Sequence, residues 1–430
     1  MAGSNGAQNA DTPSLAEATR VWWKIGILSF GGPAAQIALM HKEVVESRQW
    51  LSEQQFLNAL SFCMLLPGPE AMQLATYAGW RLHGVLGGLI AGLLFIVPGA
   101  VVIMLLAAIY SLFGNVPLVE ALFYGIKAAV LVIVVEALLR VAKKALSRKV
   151  HWFIAAFAFF GIFFLSLPYP LIVLMAGIFG LLFSVSDNET YVAATVHVSP
   201  AKTIQTIGVW LAIWLLPLLA LAVLAMPNIL VEVGQFFSTL ALVTFGGAYA
   251  VLAYMAQDVV VQFGWLSASE MVDALGLAET TPGPLILVTQ FVGFLAGFKE
   301  GGLLLGLAAA IVALWVTFAP CFLWIFAGAP YIEWISNQPR LKSALQAITA
   351  AVVGVILNLS IWFALHVLFT QVERQQVGIV TLWTPALDSI EWLALGLFVL
   401  SSILAFRLHW GIIKVLLVAS VLGAALRLIV

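Results

Sequence analysis

Two short stretches carry residue types that break a helix and leave backbone groups free to bind something. Pro67-Gly68-Pro69 is followed at once by Glu70, and Pro282-Gly283-Pro284 follows Thr280 and Thr281. Proline lacks an N–H and disfavours helix in the residue before it, so each triplet ends one helix, and its last proline suits the start of the next. The N–H groups and the positive dipole end of that next helix favour an anion. Gln73 and Thr76 lie in the first two turns after the first triplet, and Thr289 and Gln290 follow the second. Their amides and hydroxyls, with those of Thr280 and Thr281, could complete a cage for a tetrahedral oxyanion, or bond to neighbouring backbone as such groups do in membrane bundles.

Charges within apolar surroundings are the second class of candidate, because they are costly in a bilayer. Lys127 lies deep in an apolar run and is the first choice for a cationic contact to an anion, with Lys24 next. Glu70, at a half-helix start, is a proton-coupling candidate or a plain helix-terminus charge. Glu43 and Asp258 are the alternative coupling pair, or solvated loop acids. Glu136 and Arg140 read as an i,i+4 pair.

The elements that must position these residues are membrane helices. Of 430 residues 63% are hydrophobic and 9% charged, against about a quarter charged in soluble domains. Apolar segments near the ~20 residues that span a bilayer recur at 85–112, 118–139, 168–186, 206–226, 301–327, 343–370 and 409–428. No basic stripe suggests nucleic acid, and Cys63 and Cys321 suggest neither a disulfide framework nor a metal motif. No cofactor is expected. A zinc protease motif and a Walker loop are missing from the sequence, His366 has no partner for haem, and Asp187, Asp258, Asp273 and Asp388 are expected outside the segment cores. An enzyme is therefore not expected; a channel on the same architecture stays open.

The chain repeats itself. Residues 30–69 align without a gap on 245–284, with 16 of 40 positions identical. Phe30-Gly31-Gly32 meets Phe245-Gly246-Gly247, and the two Pro-Gly-Pro triplets coincide. Ser52-x-x-Gln55 and Ser267-x-x-Glu270 are capping boxes that start a helix near 53 and 268. The expected architecture is an all-α polytopic membrane protein of two homologous, inverted repeats, with broken or re-entrant helices at Pro-Gly-Pro and about thirteen transmembrane segments. Its parts are a polar tail at 1–20, a first repeat at 21–186, a linker with one unpaired helix at 187–229, and a second repeat at 230–430. The basic loop 140–151 points to the cytoplasm and places the N-terminus there too. Lys42 and Arg48 fit that topology poorly, and re-entrant hairpins at 56–82 and 269–298 would change it. Gly88-x-x-x-Gly92 and Gly302-x-x-x-Gly306 allow close helix contacts within one chain or in a homodimer.

With these blocks assembled, the chain resembles the chromate ion transporter family in its long two-repeat form. The resemblance rests on the paired Phe-Gly-Gly and Pro-Gly-Pro blocks and covers all but the tail and the linker helix. It implies a bacterial inner-membrane secondary transporter that exports chromate, confers resistance, is driven by the proton gradient and takes sulfate as a related or competing ligand. It also implies thirteen helices with inverted halves. Ala248 stands where the first repeat has Pro33, so the halves are not equivalent. The binding-site residues expected from the breaks are Gly31, Gly32, Pro67, Gly68, Pro69, Gln73, Thr76, Lys127, Gly246, Gly247, Thr280, Thr281, Pro282, Gly283, Pro284, Gln290 and Lys24. Expected partners are the oxyanion, protons and the lipid bilayer.

Overall fold

A computed structural model describes residues 13–114, 116–183, 199–245, 248–332, 335 and 338–429. Helix dominates. Two of the helices start where the capping boxes place them. Glu53–Cys63 (α3) and Ala268–Thr280 (α11) each begin with serine accepting from the third residue's N–H, while the Gln55 or Glu270 side chain accepts from the serine N–H. Each then ends at its Pro-Gly-Pro.

Beyond each triplet the chain forms a pair of helices folded against each other. In Glu70–Phe113 (α4) the backbone leaves helical geometry at His83 and Gly84, where Gly84 has φ +61°. The limb 70–82 (α4a) runs back along 85–113 (α4b). A Cβ on Gly79 would lie 2.3 Å from the Gly87 carbonyl oxygen, and one on Gly92 would lie 2.5 Å from the Thr76 hydroxyl. Val288–Gly328 (α12) does the same at Gly301 and Gly302, giving limbs 288–300 (α12a) and 303–328 (α12b). There Gly293 and Gly297 face Ala309 and Leu305, and Gly306 faces Phe294. Gly92 and Gly306 are thus spent on contacts inside the chain.

The other α-helices are Leu15–Leu28 (α1), Gly32–His41 (α2), Pro117–Ala145 (α5), Lys149–Phe163 (α6), Tyr169–Leu182 (α7), Pro200–Val223 (α8), Asn228–Val243 (α9), Ala248–Gln257 (α10), Pro339–Leu368 (α13), Trp392–Ser402 (α14) and Ile412–Ile429 (α15). A π-turn follows α2 at Lys42–Glu46 and α10 at Asp258–Gln262, so even this irregularity is repeated. One departure from the all-α expectation is an antiparallel hairpin pairing Val372–Val377 with Val380–Pro385.

The two repeats interlock. α5 of the first packs against α14 and α15 of the second, and α13 of the second packs against α6 and α7 of the first. Glycine permits each approach: Gly125 lies on the Ala419 carbonyl, Gly354 on that of Ala155, and Gly180 on the backbone of Ala344. α4 and α12 pack on each other at the centre, and α8, with Trp214 its only fully buried residue, lies against α9 and α12.

Among the described residues five stretches are long and apolar enough to cross a membrane: those containing α4b, α5, α8, α12b and α13. α6 and α7, of 15 and 14 residues, reach only about 22 Å at 1.5 Å per residue, short of the ~30 Å hydrocarbon thickness. The chain is a multi-pass helical membrane protein; five stretches of the described residues, rather than the expected thirteen, have the length and apolarity of a full crossing.

Candidate functional site

Both Pro-Gly-Pro triplets are buried, as backbone breaks inside a membrane must be. Each is held by the other repeat. The Gly68 N–H donates to the Thr244 carbonyl at 2.9 Å, and the Gly283 N–H donates to the Ser29 carbonyl at 2.8 Å. Ser29 and Thr244 immediately precede the two Phe-Gly-Gly blocks, so the breaks of one repeat close on those of the other. The glycines are required: Gly68 and Gly283 have φ of +112° and +88°, the region L side chains rarely adopt. Gly31 and Gly32 also have positive φ, while Gly246 and Gly247 lie outside the described residues.

The second limbs pack against the triplets from the other side. A Cβ on Gly99, beside Pro98, would sit 2.2 Å from the Pro282 carbonyl oxygen. A Cβ on Gly68 would sit 2.9 Å from Cys321 Sγ, beside Pro320. Pro67, Gly68, Pro69, Pro282, Gly283 and Pro284 therefore form two closed corners against α4b and α12b.

The polar residues expected here are present, largely occupied by backbone. Gln73 Nε2 donates to the Pro67 carbonyl at 2.7 Å, and Gln290 Nε2 to the Ala100 carbonyl at 3.1 Å. The hydroxyls of Thr76, Thr280 and Thr281 donate to carbonyls three or four residues back in their own helices. Thr289 and Thr317 join their limbs at 3.2 Å. Sequence reasoning missed Gln36, whose Nε2 donates to both the Gly283 and Ser29 carbonyls, at 2.6 and 3.3 Å. Its position four residues after Gly32, where the second repeat has Val251, was the available signal.

Lys127 stands apart from the breaks. It donates to Ser269 and lies 3.4 Å from Asp273 Oδ2, about two turns back along α11 from Thr280. Asp273 was expected outside a segment core, yet it is 3% exposed and also accepts from Tyr110 at 2.8 Å. The capping box explains the misplacement: it starts α11 at Ala268 and carries Asp273 inward with Met271, Val272, Ala274 and Leu275 around it. A cavity of about 430 Å³ opens on Lys127, Asp273, Glu270 and Lys299. Lys299, at the end of α12a, pairs with Glu270 at 2.7 Å and donates to the Trp265 carbonyl, so the open ends of α11 and α12a lie side by side. The chain turns back at Pro282–Pro284.

Lys24 is also away from the triplets, paired with buried Glu43 at 2.7 Å, and Arg48 takes the other Glu43 oxygen. Asp258 opens the second π-turn, one helical turn after Tyr254. Glu70 opens α4a. A further buried acid that sequence reasoning missed, Glu279, accepts from Tyr249 at 2.7 Å just before the second triplet. Among the described residues no cluster of three His, Cys, Asp or Glu side chains is placed to hold a metal.

Two interlocked repeats around paired, buried helix breaks define the class: a multi-pass helical membrane transporter. The chain belongs to the chromate transporter family, whose profile matches residues 16–181 and 231–424, one repeat each. It is 30% identical over 359 residues to the chromate transport protein of Cupriavidus metallidurans, covering 81% of this chain and 82% of that one. It is 31% identical over 346 residues to the chromate transport protein of Pseudomonas aeruginosa, covering 77% of each. No solved structure matches the chain.

Proposed function

We propose that the protein is a secondary transporter that exports chromate across the bacterial inner membrane, coupled to the proton gradient, and so confers chromate resistance. The observation that carries this reading is the reciprocal pair of hydrogen bonds, Gly68 to Thr244 and Gly283 to Ser29, which brings the breaks of both repeats to a buried centre. Matched breaks in two repeats are where transporters bind their substrate. The first-turn N–H groups of Glu70, Ala71 and Met72 have no intrahelical acceptor, as at every helix start, and in this reading they face the oxyanion. The named activity of the relatives supports chromate as the substrate. The repeats are inverted in this reading, with the basic end of α5 and the N-terminus in the cytoplasm.

The test is uptake of chromate into inverted membrane vesicles, with and without an imposed proton gradient and with sulfate as competitor. Gradient-dependent chromate accumulation supports the reading. Sulfate accumulation with indifference to chromate changes the substrate, gradient-independent equilibration makes the protein a channel, and no movement of either anion sinks the proposal.

A further inference from the structure

Asp273 is a buried carboxyl with one oxygen left over. Its Oδ2 accepts from Tyr110 and lies beside Lys127, while Oδ1 is buried without a partner. A carboxylate held permanently ionised inside a protein gathers donors on both oxygens, because each unpaired one is costly. Asp273 also lines the cavity of about 430 Å³, and so do Gly114 and Glu120 near the start of α5. The arrangement occurs once in the duplicated chain. Asn58 stands at the place of Asp273 in the first repeat. With Pro98 set on Pro320, the second repeat has Thr349 where Lys127 stands and Ile332 where Tyr110 stands. A single copy gives the two sides of the membrane unequal access to a buried acid.

We propose that Asp273 is the proton-binding residue of the transport cycle, loaded from the outer side of the membrane through this cavity and unloaded to the cytoplasm. This rests on the exporter reading above and names the coupling group within it. In that topology the basic end of α5 is cytoplasmic, so the cavity near its other end faces outward, where the gradient supplies protons. Loading takes the Lys127–Asp273 pair from no net charge to one positive charge, which the membrane potential also drives inward. The proton moves inward on the protein while the oxyanion moves outward. A protonated Asp273 is no longer a counter-ion for Lys127, which loosens the polar link between α5 and α11. α11 ends at Thr280, against the second Pro-Gly-Pro, so one short helix joins the proton site to a break.

Other charged or titratable groups face this acid or its surroundings: Glu270 paired with Lys299, Glu120 paired with Arg427, and His366 of α13 across a smaller cavity from Lys127. Glu279 with Tyr249 of α10 lies at the far end of α11. The test traps a pH-sensitive dye in inverted membrane vesicles, whose lumen is the outer side, and follows chromate entry and lumen pH together. It is run at mildly alkaline pH, where chromate is fully ionised and takes up no proton of its own. Wild-type protein should make the lumen alkaline as chromate enters. Asp273→Asn should lose that alkalinisation, read as protons per chromate at whatever chromate rate it retains. Glu270→Gln, which gives α11 the serine–glutamine capping box of α3, should keep it. Should Asp273→Asn fail to fold or to carry chromate, Tyr110→Phe decides. Losing its hydrogen bond to the charged carboxylate should raise the pH of half-maximal coupling by about one unit. Undiminished alkalinisation in Asp273→Asn, or an unshifted profile in Tyr110→Phe, overturns the inference and leaves chromate export standing. Chromate entry without proton movement in the wild type overturns it together with gradient coupling. No chromate entry into wild-type vesicles overturns the exporter reading as well.

Discussion

The Lys127 ammonium stands 3.4 Å from the Asp273 carboxylate, joining α5 of the first repeat to α11 of the second inside the bundle. Asp273 has a second oxygen, Oδ1, buried without a partner, so Lys127 is the only cation paired with it among the described residues. Removing one member of such a pair strands the other at about 3–5 kcal/mol. Lys127→Ala should therefore lower membrane abundance as well as transport, and Lys127→Ala with Asp273→Ala should recover abundance. Quantitative blotting of the single and double variants checks this, and a single variant of unchanged abundance would remove the pair's structural role.

Crowding at the corners makes a sharper demand. At Gly99 a methyl group would meet the Pro282 backbone oxygen at 2.2 Å, a contact no rotamer can relieve. Gly99→Ala should abolish chromate transport. Thr281→Ala, whose hydroxyl only back-bonds to Ala278, should keep transport within about twofold, because such a local bond contributes about 1 kcal/mol or less. Initial rates normalised to protein amount decide between the two.

We propose that the reversal at Pro282–Pro284 is a re-entrant hairpin, with both of its ends on one side of the membrane. Ser269 and Glu300 are exposed, and native Cys63 and Cys321 are buried. Ser269→Cys and Glu300→Cys should both be labelled by an impermeant thiol reagent from the same side. Labelling from opposite sides would show that the segment crosses.

Three acids were candidates for carrying a proton, and their surroundings separate them. Glu43 is buried between Lys24 and Arg48, which favour its charged form. Glu43→Gln should lower abundance by stranding two cations, with the pH response of transport unchanged. Glu70→Gln or Asp258→Asn should shift that response if either residue couples proton movement. Transport rates across a pH series in each variant give the answer, and an unaltered profile in both removes Glu70 and Asp258 as coupling groups.

Much of the framework was legible because it depends on neighbours a few residues apart. Ser52 and Ser267 start helices through bonds to the third residue on, and proline stops them through its own ring and missing N–H. The duplicated Pro-Gly-Pro and Phe-Gly-Gly blocks likewise announced paired breaks. Asp273 was misjudged for the complementary reason. Its burial depends on Lys127 and Tyr110, which are more than 140 residues away in the chain.

The sequence by itself determined a duplicated membrane protein with helix breaks at fixed positions, since hydrophobicity, capping and proline sterics act locally. Tertiary structure alone decided that each triplet closes on the other repeat, that the second hairpin turns back at its prolines, and that Lys127 pairs with Asp273 away from the breaks. Those outcomes depend on which glycine-lined faces approach and which buried donors find acceptors across hundreds of residues. No pattern within one helix records that choice.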